Sequence, residues 1–206
     1  IYANLKRVVF FLITTNLGEI ITLATALMIG LPLPLTAVMI LWINLITDGA
    51  CTSPLGIEPM HRDVLKQPPR SPDARILDWT LLRRMLILAP IMAAGTLGLF
   101  ACNLSDGGEA YAMTVAFTTL AAFQWFQGIN ARTSRVSVLS VGLFSNPWLW
   151  FGIVLATVLQ VLAVHTGFGQ SIFKTVPLAL SDWGAILAVS SSILIIDEIL
   201  KALGVH

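Results

Sequence analysis

The sequence predicts an all-α, polytopic membrane protein: a six-helix transmembrane bundle in which one helix is partly unwound. Three observations lead to this prediction. Hydrophobic residues make up 56% of the 206 residues and charged residues only 11%, whereas about a quarter of the residues in a soluble domain are charged. Apolar runs of about 20 residues, the length needed to cross a bilayer, recur along the chain. Basic residues collect in alternate breaks between these runs.

The predicted spans are the apolar runs between stretches rich in Gly, Pro, Ser and charged residues, which end hydrophobic helices. An even number of spans places both termini on the same side of the membrane. The six spans lie near residues 8–29, 35–53, 80–102, 112–130, 147–165 and 183–203.

The distribution of Lys and Arg predicts the orientation, because these residues accumulate in short cytoplasmic loops. Of the twelve basic residues, only Lys174 falls on the side away from the termini. We therefore expect both termini to be cytoplasmic. The eleven basic residues on the terminal side are Lys6, Arg7, Arg62, Lys66, Arg70, Arg75, Arg83, Arg84, Arg132, Arg135 and Lys201.

Composition excludes several classes of function. The formal net charge of +1 gives no basic surface for nucleic acid. Cys51 and Cys102 stand far apart without a Cys-x-x-Cys or Cys/His cluster, which argues against a disulfide scaffold and against a zinc or redox site. The longest polar segment, residues 56–78, is rich in Pro and too short for a domain, so we expect any chemistry of this chain to lie within the membrane.

Two carboxylates lie inside predicted spans, where an ionisable group costs at least about 2.5 kcal/mol and calls for a specific explanation. Glu19 lies in the first span and shares a helical face with Asn16; Asp48 lies in the second and shares a face with Asn44 and Thr47. These side chains supply only oxygen ligands, as Ca²⁺ prefers. The competing interpretation is that they only hydrogen-bond across the bundle, as polar groups in membranes often do.

The second span contains signals for an irregular helix. Asp48-Gly49 is followed by Ser53-Pro54, and we expect the helix to be partly unwound near its middle. Broken helices at membrane depth expose carbonyl groups that line ion sites in transporters.

Two further polar groups lie in later spans. In the fourth span Gln124 and Gln127, followed by Asn130, either extend the ion site or join helices by hydrogen bonds. Near the end of the last span, Asp197 and Glu198 lie close to Lys201, and we expect them to form a solvated or interfacial cluster.

The motifs in this chain resemble those of P-type cation-transporting ATPases of the calcium-pump branch. Residues 16–19, Asn-Leu-Gly-Glu, are similar to the fifth-helix motif N-x-G-E of that family, and residues 41–49, Leu-Trp-Ile-Asn-Leu-Ile-Thr-Asp-Gly, to its sixth-helix motif L-W-x-N-L-x-T-D-G. The resemblance covers nearly the whole chain and implies the carboxy-terminal transmembrane sector, helices five to ten. Further similar stretches are residues 55–72, in the loop that contacts the phosphorylation domain in the family, and residues 146–150, 175–178 and 182–183, in helices nine and ten.

The resemblance implies a set of ligands for a transported Ca²⁺ ion, with Asp48 able to bridge two ions where two bind. In relatives that bind two ions the eighth helix supplies a Glu, and the equivalent position here is Gln124. A neutral amide there lowers the local negative charge by one, which leaves the number of ions and the proton counter-transport open. The implied metal ligands are Asn16, Glu19, Asn44, Thr47, Asp48 and Gln124.

The implied function is Ca²⁺ export from the cytoplasm by an ATP-driven pump. The phosphorylation motif D-K-T-G does not occur in these 206 residues, so we expect no catalytic residue in this chain, and ATP and Mg²⁺ would act only through other domains. The implied partners are the lipid bilayer, helices one to four, and the cytoplasmic phosphorylation, nucleotide and actuator domains. Nucleic acid is not among them.

Alternatives stay open at this point. Na⁺ or Mn²⁺ could be the transported ion, because the oxygen ligands of these ions overlap with those of Ca²⁺. A free-standing six-span channel or a membrane partner subunit would also fit the spans, although a start at Ile1 favours a fragment of a longer protein. The short loops favour a bacterial plasma membrane.

Overall fold

A computed structural model describes residues 2–59, 76–134 and 136–204, and the secondary structure within these ranges is helical. The all-α prediction is confirmed. In chain order the elements are α1 (Tyr2–Met28), α2 (Ala37–Trp42), the π-helix π1 (Ile43–Thr47), α3 (Asp48–Gly56), α4 (Trp79–Asn130), α5 (Val138–Val141), α6 (Pro147–His165), α7 (Gly167–Phe173) and α8 (Leu180–Ala202).

Five helical segments in the described ranges are long and apolar enough to cross a membrane, in agreement with five of the predicted spans. The remaining predicted span, 112–130, is helical and forms the end of α4, but its crossing of the membrane stays a prediction. Its polar residues, including Thr118, Gln124 and Gln127, are buried by neighbouring helices. The five segments are Tyr2–Met28, Ala37–Gly56, Trp79–Ser105, Pro147–His165 and Leu180–Ala202.

Helix α4 is a helical hairpin with two arms that meet at Gly108. This residue has φ 77° and ψ 171°, a conformation that only glycine adopts without strain. The arms pack on each other, because a Cβ atom placed on Gly95 would lie 2.7 Å from Cζ of Phe123. The second arm therefore runs back alongside the first arm, and it carries Gln124.

The prediction that the second span is partly unwound was wrong: the irregular turn in this span is the π-helix π1. The backbone N–H of Asp48 donates to the carbonyl of Ile43, five residues earlier. A π-helical turn accommodates an extra residue while keeping its backbone groups hydrogen-bonded. The helix therefore widens here without unwinding, and its carbonyl groups stay paired inside the bilayer, where unpaired groups are costly.

The charged cluster near the end of α8 is buried, so the prediction of a solvated or interfacial cluster was wrong for Asp197. Arg84, from the first arm of α4, places Nη2 2.7 Å from Oδ1 of Asp197, and both side chains are at most 1% exposed. Lys201 Nζ lies 2.9 Å from the other oxygen of Asp197. This ion pair joins α4 to α8.

Contacts among charged residues place both ends of the described chain at one end of the bundle. Near the start of α1, Lys6 pairs with Asp78 and Arg7 donates to the carbonyl of Arg132. At the end of α8, Lys201 donates to Thr133. That this end faces the cytoplasm stays a prediction, and the predicted loop cations Arg62, Lys66, Arg70, Arg75 and Arg135 lie outside the described residues.

Asp78 caps the first turn of α4. Burial raises the pKa of its carboxyl, but hydrogen bonds from Lys6, the N–H of Leu81 and Thr80 outweigh burial and hold the pKa below its ordinary value. A lowered pKa gives stability that is present at neutral pH and is lost as pH falls through the folded-state pKa. We expect Asp78→Ala to destabilise the protein by about 1 kcal/mol at neutral pH, measured by thermal unfolding in detergent. A difference that persists unchanged at low pH would contradict this origin.

Candidate cation-binding site

The two intramembrane carboxylates lie where α1 meets the second span and the α4 hairpin. Glu19 and Asp48 are each only 4% exposed. Helix α1 approaches the first arm of α4 closely at Gly18, where an added Cβ would lie 3.3 Å from Cβ of Met92. This close packing positions the middle of α1, with Glu19, beside the hairpin that carries Gln124.

Glu19 accepts hydrogen bonds from two amides that belong to different helical elements. Gln124 Nε2, from the second arm of α4, lies 3.0 Å from Oε1. Asn44 Nδ2, from π1, lies 3.3 Å from Oε2. The Glu19 carboxylate therefore joins α1, π1 and α4 at one point.

Asp48 accepts hydrogen bonds from two side chains of α1. Thr15 Oγ1 lies 3.4 Å from Oδ1, and Asn16 Nδ2 lies 3.5 Å from Oδ2. Both distances are at the long end for hydrogen bonds and indicate weak interactions. Thr47 is buried at the end of π1, directly before Asp48.

Two amide oxygens at the site are buried without a hydrogen-bond partner: Oδ1 of Asn44 and Oε1 of Gln124. Each belongs to an amide whose nitrogen donates to Glu19. If these amides turn over, their oxygens face the carboxylate and complete a set of oxygen ligands. Unpaired buried oxygens are costly. A cation bound by these two amide oxygens would give each of them the partner that it lacks.

Neither Glu19 nor Asp48 has an ion-pair partner among the described residues. The ion pairs found in the described ranges use other carboxylates: Asp78, Asp197, Glu58 and Glu198. Among the described residues no group of three or more His, Cys, Asp or Glu is placed to hold a metal. A cation at this site would thus be bound by two carboxylates and neutral oxygens, a hard donor set that suits Ca²⁺, Mn²⁺ or Na⁺ better than soft metals.

The structure brings the predicted residues together in two groups. Glu19 contacts Asn44 and Gln124, and Asp48 contacts Asn16. In the fourth span, Gln124 donates to Glu19, whereas Asn130 donates to the carbonyl of Ile193 and so binds α8.

Thr15 is a site residue that the sequence reasoning did not single out. It contacts Asp48 and lies one helical turn before Glu19. The spacing of four residues that places two side chains on one helix face could have identified it.

Comparison with known proteins identifies the family of this chain. Residues 32–203 match the family model described as "Cation transporting ATPase, C-terminus". The chain belongs to this family. It is 33% identical over 203 residues to Calcium-transporting ATPase 1 of Saccharomyces cerevisiae, covering 98% of this chain and 21% of the relative. It is 33% identical to Calcium-transporting ATPase type 2C member 1 of Mus musculus, with 98% and 22% covered.

A bacterial relative of this cation-transporting ATPase sector is similarly close. Calcium-transporting ATPase 1 of Bacillus cereus is 32% identical over 217 residues, covering 98% of this chain and 24% of the relative. The chain thus spans between a fifth and a quarter of the length of these relatives. Because they come from a fungus, a mammal and a bacterium, they give no support to the expectation of a bacterial plasma membrane.

Proposed function

We propose that this chain is the ion-binding membrane sector of an ATP-driven Ca²⁺ pump, with Asn16, Glu19, Asn44, Thr47, Asp48 and Gln124 as ligands. The observation that carries the proposal is the buried pair Glu19 and Asp48, which have amide and hydroxyl partners in a chain of this family. The names of the relatives support Ca²⁺ as the transported ion.

The side chains of this sector bind and release the ion, while the energy comes from elsewhere in the pump. Glu19 and Asp48 supply the negative charge, and the amides of Asn44 and Gln124 adjust to the ion or, in its absence, donate to Glu19. Phosphorylation of a domain outside this chain would move the helices and change the affinity of the ligands between the two sides of the membrane. ATP and Mg²⁺ act in that domain.

The site also needs partners outside the described helices. Asn16 and Asn44 are only half-buried, and Ile20 and Leu45 beside the ligands are 62% and 67% exposed. Helices one to four of the pump would cover this side, and a Glu from the fourth would add a further oxygen ligand. The phosphorylation, nucleotide and actuator domains would lie at the end of the bundle that holds both chain termini, which would be the cytoplasmic end.

ATP-driven uptake of ⁴⁵Ca²⁺ into vesicles containing the full-length protein tests the proposal. We expect Glu19→Gln to raise the Ca²⁺ concentration for half-maximal uptake by at least about tenfold, because it removes one of two charges from the site. Glu109→Gln is the matched control, since Glu109 is an exposed carboxylate in the turn of the α4 hairpin. Uptake should persist without Na⁺ or Mn²⁺ in the medium.

Two outcomes would contradict the proposal. If wild-type vesicles use ATP to transport Mn²⁺ or Na⁺ but not Ca²⁺, the assignment of Ca²⁺ as the transported ion is wrong. Ca²⁺ flux that runs down its gradient and does not depend on ATP would favour a passive channel instead.

A further inference from the structure

A second buried ion pair lies at the far end of the helix that begins with Asp48. Glu58 lies two residues beyond the end of α3 and is 4% exposed. Nε of Arg132 donates to Oε1 of Glu58 at 2.8 Å, and Nδ2 of Asn146 donates to Oε2. These three side chains, here called the clamp, come from the end of α3, the end of α4 and the start of α6.

The clamp is tied to the backbone around it. Arg132 is fully buried, and its Nη1 donates to the carbonyls of Gly142 and Leu143 at 3.1 and 2.8 Å. Asn146 also donates to the carbonyl of Pro54 at 3.2 Å, within α3 itself. The remaining nitrogen of the guanidinium, Nη2, donates to Oγ of Ser145. All three nitrogens of Arg132 therefore have partners, and the point charge of a lysine cannot replace a planar donor of this kind.

The same cluster fixes α3 against α1. Asn4 Nδ2 donates to the carbonyls of Gly56 and Glu58 at 3.0 and 3.1 Å. Arg7 Nε donates to the carbonyl of Arg132 at 2.9 Å. Asn4 and Arg7 of α1 therefore contact the backbone of two clamp residues, so α1, which carries Glu19, is joined to the same end of α3 as the clamp.

We propose that Glu58, Arg132 and Asn146 are positioning residues that set Asp48 against Glu19 for ion binding. The nine residues of α3 span about 13 Å of helix, and Glu58 lies two residues beyond its end, so a displacement at Glu58 is passed along α3 to Asp48. The other end of α3 joins π1, a helical form that is often found at functional sites. The weak contacts of Asp48 with Thr15 and Asn16 do not hold it in place by themselves. This proposal rests on the proposed function.

The test uses the double variant Glu58→Gln/Arg132→Met in the full-length protein. Removing both charges together avoids leaving one unpaired buried charge, which is the more damaging change. We expect the Ca²⁺ concentration for half-maximal phosphorylation by ATP to rise about fivefold to tenfold per folded molecule, because coupled contacts set the position of Asp48. Thermal unfolding is measured on the same samples.

The ion pair between Arg84 and Asp197 provides a matched control, because it is equally buried but joins α4 to α8 without touching α3. We expect Arg84→Met/Asp197→Asn to lower the thermal midpoint and to leave the Ca²⁺ dependence within about twofold of wild type. Equal shifts in both double variants would mean a general loss of stability and would overturn the positioning role.

Two further outcomes separate this inference from the function it rests on. Unchanged Ca²⁺ dependence in the folded clamp variant overturns the inference alone, whereas a wild-type protein without Ca²⁺-dependent phosphorylation overturns the proposed function. If the double variant does not fold, Arg132→Lys takes its place, since lysine keeps the positive charge but lacks the planar guanidinium group. A wild-type Ca²⁺ dependence in Arg132→Lys would then count against the clamp.

Discussion

Asp48→Asn in the full-length protein is expected to abolish phosphorylation by ATP at Ca²⁺ concentrations that saturate the wild type. The substitution keeps the size of the side chain and removes one of the two negative charges at the site. Asp48 is 4% exposed and has no described ion-pair partner, so its charge is available to a cation. We expect the apparent Ca²⁺ affinity to fall by at least about 100-fold, or ~2.8 kcal/mol.

The measurement is acid-stable phosphoenzyme formed from labelled ATP over a range of Ca²⁺ concentrations. Asp78→Asn is the matched control, because Asn at that position still caps α4 and lies far from the site in the chain. Normal phosphorylation of Asp48→Asn at low Ca²⁺ would remove Asp48 from the ligand set.

Gly152→Ala is expected to cause the largest loss of stability among single methyl additions in this chain. An added Cβ at Gly152 would lie 2.1 Å from the carbonyl oxygen of Ala50, a backbone atom of α3. That carbonyl lacks its usual helical partner, because Pro54, four residues later, has no N–H. The glycine therefore lets α6 pack directly on the exposed carbonyl.

A backbone carbonyl cannot move aside as a side chain can, so α6 and α3 must separate. We expect a cost of about 3 kcal/mol or more and a thermal midpoint lower by at least about 5 °C. Because Ala50 is close to Asp48 in α3, the Ca²⁺ affinity of the remaining folded protein should also fall.

Gly98→Ala is the control for this prediction. Gly98 lies within α4, and an added Cβ there would have no atom within 4 Å. Alanine favours a helix over glycine by about 1 kcal/mol, so this variant should be as stable as the wild type or slightly more stable. Equal thermal midpoints for Gly152→Ala and the wild type would show that α3 and α6 do not pack as described.

The helices and the site could be predicted from sequence because both follow from local patterns. Apolar runs define five of the spans, and a spacing of three or four residues places Asn16 with Glu19 and Asn44 with Asp48 on helix faces. The pairing of Gln124 with Glu19 spans 105 residues; the residues alone left open whether Gln124 extends the site, and the resemblance to a family favoured it. Local periodicity carries no information about which faces meet.

The burial of charges could not be predicted in the same way. Asp197 lies near a predicted helix end beside Lys201, a pattern typical of an interface, yet Arg84 pairs with it across 113 residues. Glu58 and Arg132 are separated by 74 residues, and neither was singled out. A buried ion pair is favourable only when both partners and their hydrogen bonds arrive together, which depends on packing.

The amino-acid sequence by itself determined that this chain is a helical membrane sector, the approximate positions of its long helices, and which oxygen-bearing side chains lie within them. These properties depend on hydropathy and on spacing along one helix. Only the tertiary structure decided that the irregular span keeps its hydrogen bonds in π1, that Gly152 admits the carbonyl of Ala50, and that Glu58 pairs with Arg132. These outcomes depend on close packing between helices distant in sequence, where a single methyl group or an unpaired charge changes the balance of energies.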